Sequence, residues 1–287
     1  ESGSGKSIFA LSVGNLLPPH TFSISAKKFK FQNFDLLSLD EYAWRKIRGT
    51  KIGYVFQESL VSLNPHLTIG TQLSEHLVVH WKLSKKEAFE RAVNLLMKLQ
   101  LSEPELRMKM YPHQLSGGMR QRVAIAMALI LNPEIIIADE PTTALDATLQ
   151  VQIIELLNFI NKEYGTSVIF ITHDLSLLAN FCSHIWIMYG GKILESAPVE
   201  QIYRKPLHPY TRLLLSIRQN FKKGGSLRTI AGSPPSMKRI HTNCPFYDRC
   251  EFAKEICRTE PLRLLEVAPG HCSACVLIQK GEIKLES

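Results

Sequence analysis

The sequence predicts an α/β fold in which a mostly parallel sheet is joined to a helical subdomain, followed by a small cysteine-containing C-terminal extension. Three observations support this prediction. A glycine-rich segment at residues 1–7 leads directly into an apolar stretch of helical composition. Residues 135–138 are four consecutive apolar residues, which is typical of a strand buried on both faces of a parallel sheet. Five of the six cysteines lie after residue 243, beyond a segment rich in glycine and proline.

The composition excludes several classes of protein. The 287 residues are 45% hydrophobic and 21% charged, which excludes an intrinsically disordered or collagen-like chain. No apolar run approaches the roughly 20 residues that span a bilayer, so the chain is not expected to cross a membrane by itself. The net charge is +8, and residues 201–247 contain no acidic residue. Because aromatic residues do not alternate with these basic residues at base-stacking spacing, we expect no nucleic-acid partner.

The glycine-rich segment, ESGSGKS, matches the end of the P-loop pattern G-x-x-x-x-G-K-[ST]. Its glycines let backbone N–H groups close around phosphate oxygens, its lysine can reach the β- and γ-phosphates, and its last serine can ligate Mg²⁺. The predicted phosphate-binding residues are Gly3, Ser4, Gly5, Lys6 and Ser7. A linker left by an affinity tag is the alternative for these residues alone. Because the first glycine of the pattern would precede residue 1, we expect an N-terminal truncation within this motif.

Two carboxylates, Asp139 and Glu140, follow the apolar strand. They lie at its C-terminal end, where open α/β sheets place ligands. Asp139 suits coordination of Mg²⁺, and Glu140 suits activation of an attacking water. An acidic strand end without chemistry is common for one aspartate. A consecutive Asp-Glu in a chain that also carries a P-loop favours a catalytic interpretation.

Residues 115–122, LSGGMRQR, lie between these two motifs. Ser116 is a good N-cap, and Gly117 and Gly118 allow close backbone approach, so the predicted helix 119–131 has an N-terminus suited to an anion. A capped helix after a glycine turn is the structural alternative. Because the P-loop already serves one nucleotide, a second phosphate site requires a second protomer. On these motifs the sequence resembles the nucleotide-binding subunits of ATP-binding-cassette (ABC) transporters, in which this segment is the signature motif.

Three further residues match motifs of that family in the expected order. Gln57, after residues 54–56, matches the Q-loop glutamine, Asp146 matches the D-loop aspartate, and His173, after residues 169–171, matches the switch histidine. The resemblance implies that Gln57 senses Mg²⁺ and the γ-phosphate, that Asp146 contacts the partner protomer, and that His173 contacts the γ-phosphate. A surface glutamine, a helix N-cap and a structural histidine are the respective alternatives. The Mg²⁺ ligands that the resemblance implies are Ser7, Gln57 and Asp139.

The resemblance covers roughly residues 1–217 and implies a P-loop NTPase fold, the ABC nucleotide-binding domain, that is incomplete at its N-terminus. Residues from about 64 to 131 are expected to form the helical subdomain, and the amphipathic pattern of residues 85–99 supports a helix there. Residues 218–287 are predicted to form a separate C-terminal extension that contains the cysteine cluster.

Several shorter segments resemble the dipeptide, oligopeptide and nickel importer ATPases. They are 62–65, 141–146, 208–211, 232–235 and 244–250. This closer resemblance implies that hydrolysis of ATP powers import of peptides or nickel chelates through two transmembrane permease subunits, supplied by an extracytoplasmic substrate-binding protein. It also implies a peripheral position on the cytoplasmic face of the membrane and pairing with a second, related ATPase, so we predict a heterodimer.

Two other functions must be weighed. A DNA-repair or chromosome-organising ATPase carries similar motifs, but its two halves are separated by a long coiled coil or by zinc insertions. Here the P-loop and the signature are only a little over a hundred residues apart, without sustained heptads. A catalytically incomplete fragment that acts only in assembly is the other alternative. Glu140 and His173 favour hydrolysis in the parent protein.

Cys244, Cys250, Cys257 and Cys275 have the spacing C-x₅-C-x₆-C-x₁₇-C, which differs from the C-x₂-C pairs of zinc ribbons. Disulfides are not expected in a cytoplasmic protein. Four thiolates from a loop-rich tail could hold an iron–sulfur cluster, and the family resemblance implies a [4Fe–4S] cluster with a structural role. In the family the last ligand lies in Gly-His-x-x-x-Cys, which favours Cys275 over Cys272. Free thiols and a zinc site remain alternatives.

Overall fold

A computed structural model describes residues 3–57, 62–222, 232–235 and 241–285, so the first two residues of the glycine-rich segment lie outside the described residues. The chain divides into two compact units. We call Ser7–Thr172 the central unit, and Glu1–Lys6 together with His173–Ser287 the C-terminal unit. Among the described residues, no helix combines the length and the apolar character needed to span a bilayer.

The elements up to residue 172 are helices and short strands. The helices are α1 (Lys6–Val13), α2 (Glu41–Ile47), α3 (Ile69–Trp81), α4 (Lys85–Lys98), α5 (Pro104–Met108), α6 (Gly117–Leu129) and α7 (Ala147–Tyr164). The strands are β1 (Lys30–Phe31), β2 (Phe34–Asp35), β3 (Ile52–Val55), β4 (Ile135–Asp139) and β5 (Ser167–Ile171).

The centre of the central unit is a parallel sheet with the strand order β3-β4-β5. Ile137 of β4 lies opposite Tyr54 on one side and Ile169 on the other, so β4 is the middle strand. Ile137 is buried in an apolar cluster that also contains Ala10 of α1 and Trp44 of α2. The aliphatic run of β4 therefore forms the parallel strand that the sequence predicts, half-buried at Ile135 and buried from Ile136 onward.

One glycine sets how closely α6 approaches this sheet. A Cβ built on Gly53 of β3 would lie 2.5 Å from the carbonyl oxygen of Ala128 in α6. Real Cβ atoms do not approach backbone oxygen so closely, so only glycine allows this packing. The close approach places α6 directly against β3.

The helical subdomain predicted at about residues 64–131 contains α3, α4, α5 and α6. The helix predicted at residues 85–99 is confirmed, and α4 ends one residue earlier, at Lys98. Ser84 and Glu87 form a capping box, in which the serine hydroxyl accepts from the Glu87 N–H and the Glu87 carboxylate accepts from the Ser84 N–H.

The C-terminal unit contains a second sheet, which is antiparallel and has the strand order β6-β7-β9-β8. The strands of this sheet are β6 (His184–Tyr189), β7 (Lys192–Pro198), β8 (Leu265–Ala268) and β9 (His271–Ser273). The helices of the C-terminal unit within the described residues are α8 (Val199–Arg204), α9 (Pro209–Lys222), α10 (Ile256–Thr259) and α11 (Val276–Gln279). This sheet joins strands from both sides of residue 217, and that predicted domain boundary lies within α9. The division into residues 1–217 and 218–287 stays a prediction, whereas the compact units separate after residue 172.

Two buried contacts hold the sheet of the C-terminal unit to the segments around it. The carboxylate oxygen Oε1 of Glu195 in β7 lies 2.6 Å from Nε2 of His271 in β9 and accepts from the Leu207 N–H at 2.6 Å. Tyr189 and Phe246 are both buried and pack edge to face with their ring centroids 5.4 Å apart. The last strands are therefore an integral part of this unit.

Candidate functional site

The loop before α1 contains two glycines in a backbone conformation that other residues rarely adopt. Gly3 and Gly5 have φ values of +76° and +91°, which glycine adopts easily. Between them, Ser4 is 4% exposed, and its hydroxyl accepts a hydrogen bond from Nζ of Lys6 at 3.0 Å. Helix α1 begins at Lys6, and Ser7 is its second residue. The residues predicted to bind phosphate thus lie at a helix N-terminus, where successive N–H groups and the helix dipole favour an anion.

Glu140 directly follows β4 and is held at the carboxyl edge of the parallel sheet. Its Oε2 accepts hydrogen bonds from Nε2 of Gln57 at 3.2 Å and from Oγ1 of Thr143 at 2.9 Å. Its backbone N–H donates to the carbonyl of Ile171, the last residue of β5, at 2.9 Å. The structure therefore brings together two predicted site residues, Gln57 and Glu140, from the ends of neighbouring strands.

The backbone of Glu140 is in an uncommon conformation. Its φ is +46°, in the left-handed region that costs a residue with a side chain on the order of 1–3 kcal/mol. Such strain persists only where the surroundings fix it, and here the contacts with Gln57, Thr143 and Ile171 do so. A carboxylate that is fixed in direction can orient a water molecule, which is the chemistry predicted for Glu140.

Asp139 is the last residue of β4 and is 4% exposed. The hydroxyl of Tyr54 in β3 lies 3.5 Å from its Oδ2. Burial, together with the negative charge of Asp139, raises the pKa of Tyr54, so the phenol stays protonated and can donate to the carboxylate. A carboxylate at this strand end has the hard oxygen atoms that Mg²⁺ prefers.

The signature segment forms the predicted N-terminus of α6. The hydroxyl of Ser116 accepts from the Met119 N–H at 3.3 Å, and the helix begins at Gly117. A Cβ added to Gly118 would lie 3.0 Å from a methyl group of Leu149 in α7, which is tighter than ordinary contact. Gly118 therefore allows the starts of α6 and α7 to pack together, and the beginning of α6 leaves backbone N–H groups at a helix end.

Asp146 is the N-cap of α7, because its Oδ1 accepts from the Leu149 N–H at 2.9 Å. The turn before it contains Ala144 with φ of +62°. The structural role considered for Asp146 is thus present, while its predicted contact with a partner protomer stays a prediction.

His173 lies two residues beyond the end of β5 and begins the second segment of the C-terminal unit. The predicted phosphate-binding residues Gly3 to Lys6 belong to the same unit, whereas Gln57, Asp139 and Glu140 belong to the central unit. The catalytic and metal-binding roles assigned to these residues stay predictions.

Cys244, Cys250, Cys257 and Cys275 come from different loops and short helices of the C-terminal unit. Cys257 and Cys275 are buried in one apolar cluster, and Cys244 packs against it. Burial raises the pKa of Cys244 to about 12 and that of Cys250 to about 11, and the neighbouring thiols add to both shifts. Cys272, in contrast, lies in β9 opposite Ser196 and Glu266. Within the described residues, no group of three or more histidine, cysteine or acidic side chains could hold a metal ion.

The sequence did not identify two side chains that position the site. Thr143 and Tyr54 hold Glu140 and Asp139 through side-chain contacts. Thr143 lies three residues after Glu140 in a turn, a spacing that could have suggested the contact. The contact of the Tyr54 hydroxyl with Asp139 depends on the pairing of β3 with β4, in which Tyr54 lies opposite Ile137, and the local sequence does not encode this pairing.

Comparison with known proteins relates this geometry to a family. Residues 1–143 match the family model described as ABC transporter, and residues 194–257 match the one described as Oligopeptide/dipeptide transporter, C-terminal region. A probable peptide ABC transporter ATP-binding protein, y4tR of Sinorhizobium fredii, is 43% identical over 277 residues, which cover 96% of this chain and 83% of the relative. The chain belongs to the family of peptide ABC transporter ATP-binding proteins. The oligopeptide transport ATP-binding protein OppD of Escherichia coli is likewise 43% identical, over 96% of this chain and 81% of its own length.

Solved structures agree with this membership in the ABC family. The dimeric structure of MJ0796, a bacterial ABC transporter cassette, superposes with a TM-score of 0.61 and 36% sequence identity. The match covers 69% of this chain and 82% of the MJ0796 chain. CbiO1 from Clostridium perfringens, part of the ABC transporter complex cbiONQ, superposes with a TM-score of 0.62 and 26% sequence identity. The match covers 78% of this chain and 81% of the CbiO1 chain. The predicted ABC nucleotide-binding fold is confirmed.

Proposed function

We propose that this chain is the ATP-hydrolysing subunit of an importer that moves peptides across a membrane. The observation that carries the proposal is the fixed carboxylate of Glu140 at the carboxyl edge of the parallel sheet, beside Gln57. The relatives support the choice of cargo, because their names specify peptides and oligopeptides. We therefore propose that the cargo is a peptide rather than a nickel chelate. We propose neither a DNA-repair ATPase nor a fragment that acts only in assembly.

In the proposed mechanism, Glu140 orients the attacking water and accepts its proton. Thr143 and Gln57 both donate to the Glu140 Oε2, so these two contacts fix the direction of the carboxylate that would receive the proton. A positioned general base contributes on the order of 10²–10⁴-fold to a reaction rate. Glu140 would thus supply a large share of catalysis without leaving its place in the turn.

The remaining predicted residues bind and neutralise the phosphates. The N–H groups at Gly3 to Gly5 and the ammonium group of Lys6 would surround the β- and γ-phosphates, and His173 would contact the γ-phosphate as charge develops. Ser7, Gln57 and Asp139 supply the hydroxyl, amide and carboxylate oxygens that fit Mg²⁺. When bound, Mg²⁺ neutralises phosphate charge.

The signature segment of this chain would serve a nucleotide bound to a partner. The N-terminus of α6, with Ser116, Gly117 and Gly118, offers backbone N–H groups beyond those of the chain's own P-loop. We propose that the partner is a second, related ATPase, so that the active form is a heterodimer. Asp146 would lie at its interface.

The proposed assembly contains two transmembrane permease subunits and an extracytoplasmic substrate-binding protein. The ATPase pair would be peripheral, on the cytoplasmic face of the membrane. The helical subdomain of α3 to α6 would dock on the permease, and Gln57 would pass the motion of the nucleotide site to it.

For the C-terminal extension, we propose that Cys244, Cys250, Cys257 and Cys275 hold a [4Fe–4S] cluster with a structural role. Two observations support this proposal. The neighbouring thiols raise the pKa of Cys244 in addition to burial, and Cys257 and Cys275 lie in apolar surroundings. Anaerobically purified protein should contain about four irons per chain, and one zinc per chain would contradict the proposal.

The transport function is tested with the assembled importer in proteoliposomes. Uptake of a labelled oligopeptide should require ATP and should be lost in Ser116→Arg, because the large cationic side chain would fill the N-terminus of α6. Ser84→Arg is the matched control, since Ser84 also caps a helix but lies outside the site. Uptake that persists in Ser116→Arg, or that is lost equally in Ser84→Arg, would contradict the proposal.

A further inference from the structure

The central unit has an open groove of about 200 Å³ in its helical part, which the proposed mechanism does not use. The groove lies between the C-terminal halves of α3 and α4, and the ends of α6 and α7 complete it. Asn132, which contributes to its wall, precedes the amino end of β4, whereas Glu140 follows the carboxyl end of that strand. The groove is therefore separate from the candidate catalytic site.

One face of α4 forms the side of the groove. Arg91, Asn94, Leu95 and Lys98 line it, with the spacing of a single helical face. At about 1.5 Å of rise per residue, the backbone positions of Arg91 and Lys98 are about 10 Å apart. The groove thus has a cationic side chain near each end of this face.

Each of these cations lies over an aromatic ring that also lines the groove. The Cζ atom of Arg91 is 5.2 Å from the ring centroid of Trp81, and Nζ of Lys98 is 5.7 Å from that of Tyr164. These are cation–π distances, and the rings restrict the two side chains to the groove. Among the described residues, neither cation forms an ion pair within 4.0 Å, and no acidic side chain lines the groove.

The floor of the groove is apolar, and its remaining walls can form hydrogen bonds. Leu77, Leu95 and Ile130 are buried beneath it, while Asn94 and Asn132 present exposed carboxamides. Carboxamides offer both donors and acceptors, which suits the N–H and C=O groups of a peptide backbone. Glu87, one turn before Arg91 on α4, accepts hydrogen bonds from Ser84, and these lower the pKa of Glu87 more than the charge of Arg91 does.

We propose that this groove binds an acidic peptide segment of a protein partner, extended along α4 with two carboxylates around an apolar side chain. The carboxylates would pair with Arg91 and Lys98, and the apolar side chain would cover Leu95. Alternate side chains of an extended chain lie on one face, so two carboxylates four residues apart, about 13 Å along the chain, flank a central apolar side chain on that face and can reach Arg91 and Lys98. One small anion would reach only one of the two cations. Glu87 and Glu90 interrupt the basic surface that a nucleic-acid backbone would need.

The test measures binding of acetyl-Gly-Glu-Ala-Leu-Ala-Glu-Gly-amide to the full chain by calorimetry, without nucleotide, so that it is independent of ATP hydrolysis. The acidic peptide should bind, and the same peptide with Gln in place of Glu should not. The dissociation constant should rise at least tenfold in Arg91→Gln/Lys98→Gln. Lys85→Gln/Lys86→Gln is the matched control, since these exposed residues remove the same charge from the same helix outside the groove.

Tryptophan fluorescence locates the bound peptide. In a Trp186→Phe background, a change in emission should report on Trp81, because Trp44 is only 2% exposed. Trp81→Phe should remove that change. Four results would each overturn the proposal. They are an equal loss of affinity in Lys85→Gln/Lys86→Gln and in Arg91→Gln/Lys98→Gln, equal binding of the neutral peptide, no binding at millimolar peptide, and equal competition by single-stranded DNA.

Discussion

The packing of α6 against β3 predicts that Gly53→Ala destabilises the central unit although alanine is the better residue in regular structure. The added Cβ would lie 2.5 Å from the Ala128 carbonyl oxygen and 3.2 Å from Cγ of Pro133. Because the nearer atom is backbone, α6 must move away from the sheet. Overpacking of this kind lowers the free energy of unfolding by about 1–3 kcal/mol. Alanine also restricts the unfolded chain more than glycine does, which raises the free energy of unfolding by about 0.4–1 kcal/mol.

The net loss should be about 2.6 kcal/mol at the upper end, which corresponds to a fall in Tm of about 5–10 °C for a unit of this size. Differential scanning calorimetry of the wild-type chain and Gly53→Ala measures it. Gly117→Ala is the control, because its Cβ would meet only a methyl group of Leu145 at 3.7 Å. If Gly53→Ala melts at or above the wild-type temperature, the inferred contact between α6 and β3 does not limit the packing.

Two further predictions concern the buried polar residues of the C-terminal unit. Glu195→Ala would leave the buried Leu207 N–H and His271 without their acceptor and should lower the free energy of unfolding by about 3 kcal/mol; urea unfolding measures this, and wild-type stability in Glu195→Ala would refute the role of these contacts. Burial lowers the pKa of His208 to about 3. The unfolded chain therefore takes up a proton near pH 6.5 that the folded chain excludes. This uptake lowers the free energy of unfolding as the pH falls below 6.5. Between pH 6.5 and pH 5 the wild-type chain should therefore lose about 2 kcal/mol more than His208→Asn does; parallel pH profiles would contradict this.

The features that the sequence predicts best are encoded locally. The aliphatic run of β4 needs burial on both faces whatever surrounds it, and Ser84 and Ser116 cap helices through atoms three residues away. For the same reason the alternation of glycine and polar residues before α1 predicts a turn with positive φ. These elements depend on contacts within a few residues, so that composition and spacing suffice.

The features that the sequence did not predict depend on distant parts of the chain. The pairing of β7 with β9 joins Glu195 to Ser273 across the predicted domain boundary, and β9 has only three residues. The left-handed conformation of Glu140 follows from a hydrogen bond to Ile171 in a neighbouring strand. Neither the length of β9 nor the residue type at position 140 indicates these arrangements, because both are set by tertiary contacts.

The central claim is that Glu140 is the general base of an ATPase, and the rate of ATP hydrolysis by the assembled importer tests it most directly. Glu140→Gln keeps the size of the side chain and an oxygen for Thr143, but removes the group that accepts the proton. Turnover should fall by about 10²–10⁴-fold while ATP binding is retained. Glu134→Gln, just before the start of β4, removes a half-exposed contact with Lys51 and should leave turnover unchanged. Turnover of Glu140→Gln within twofold of the wild-type rate would contradict the account.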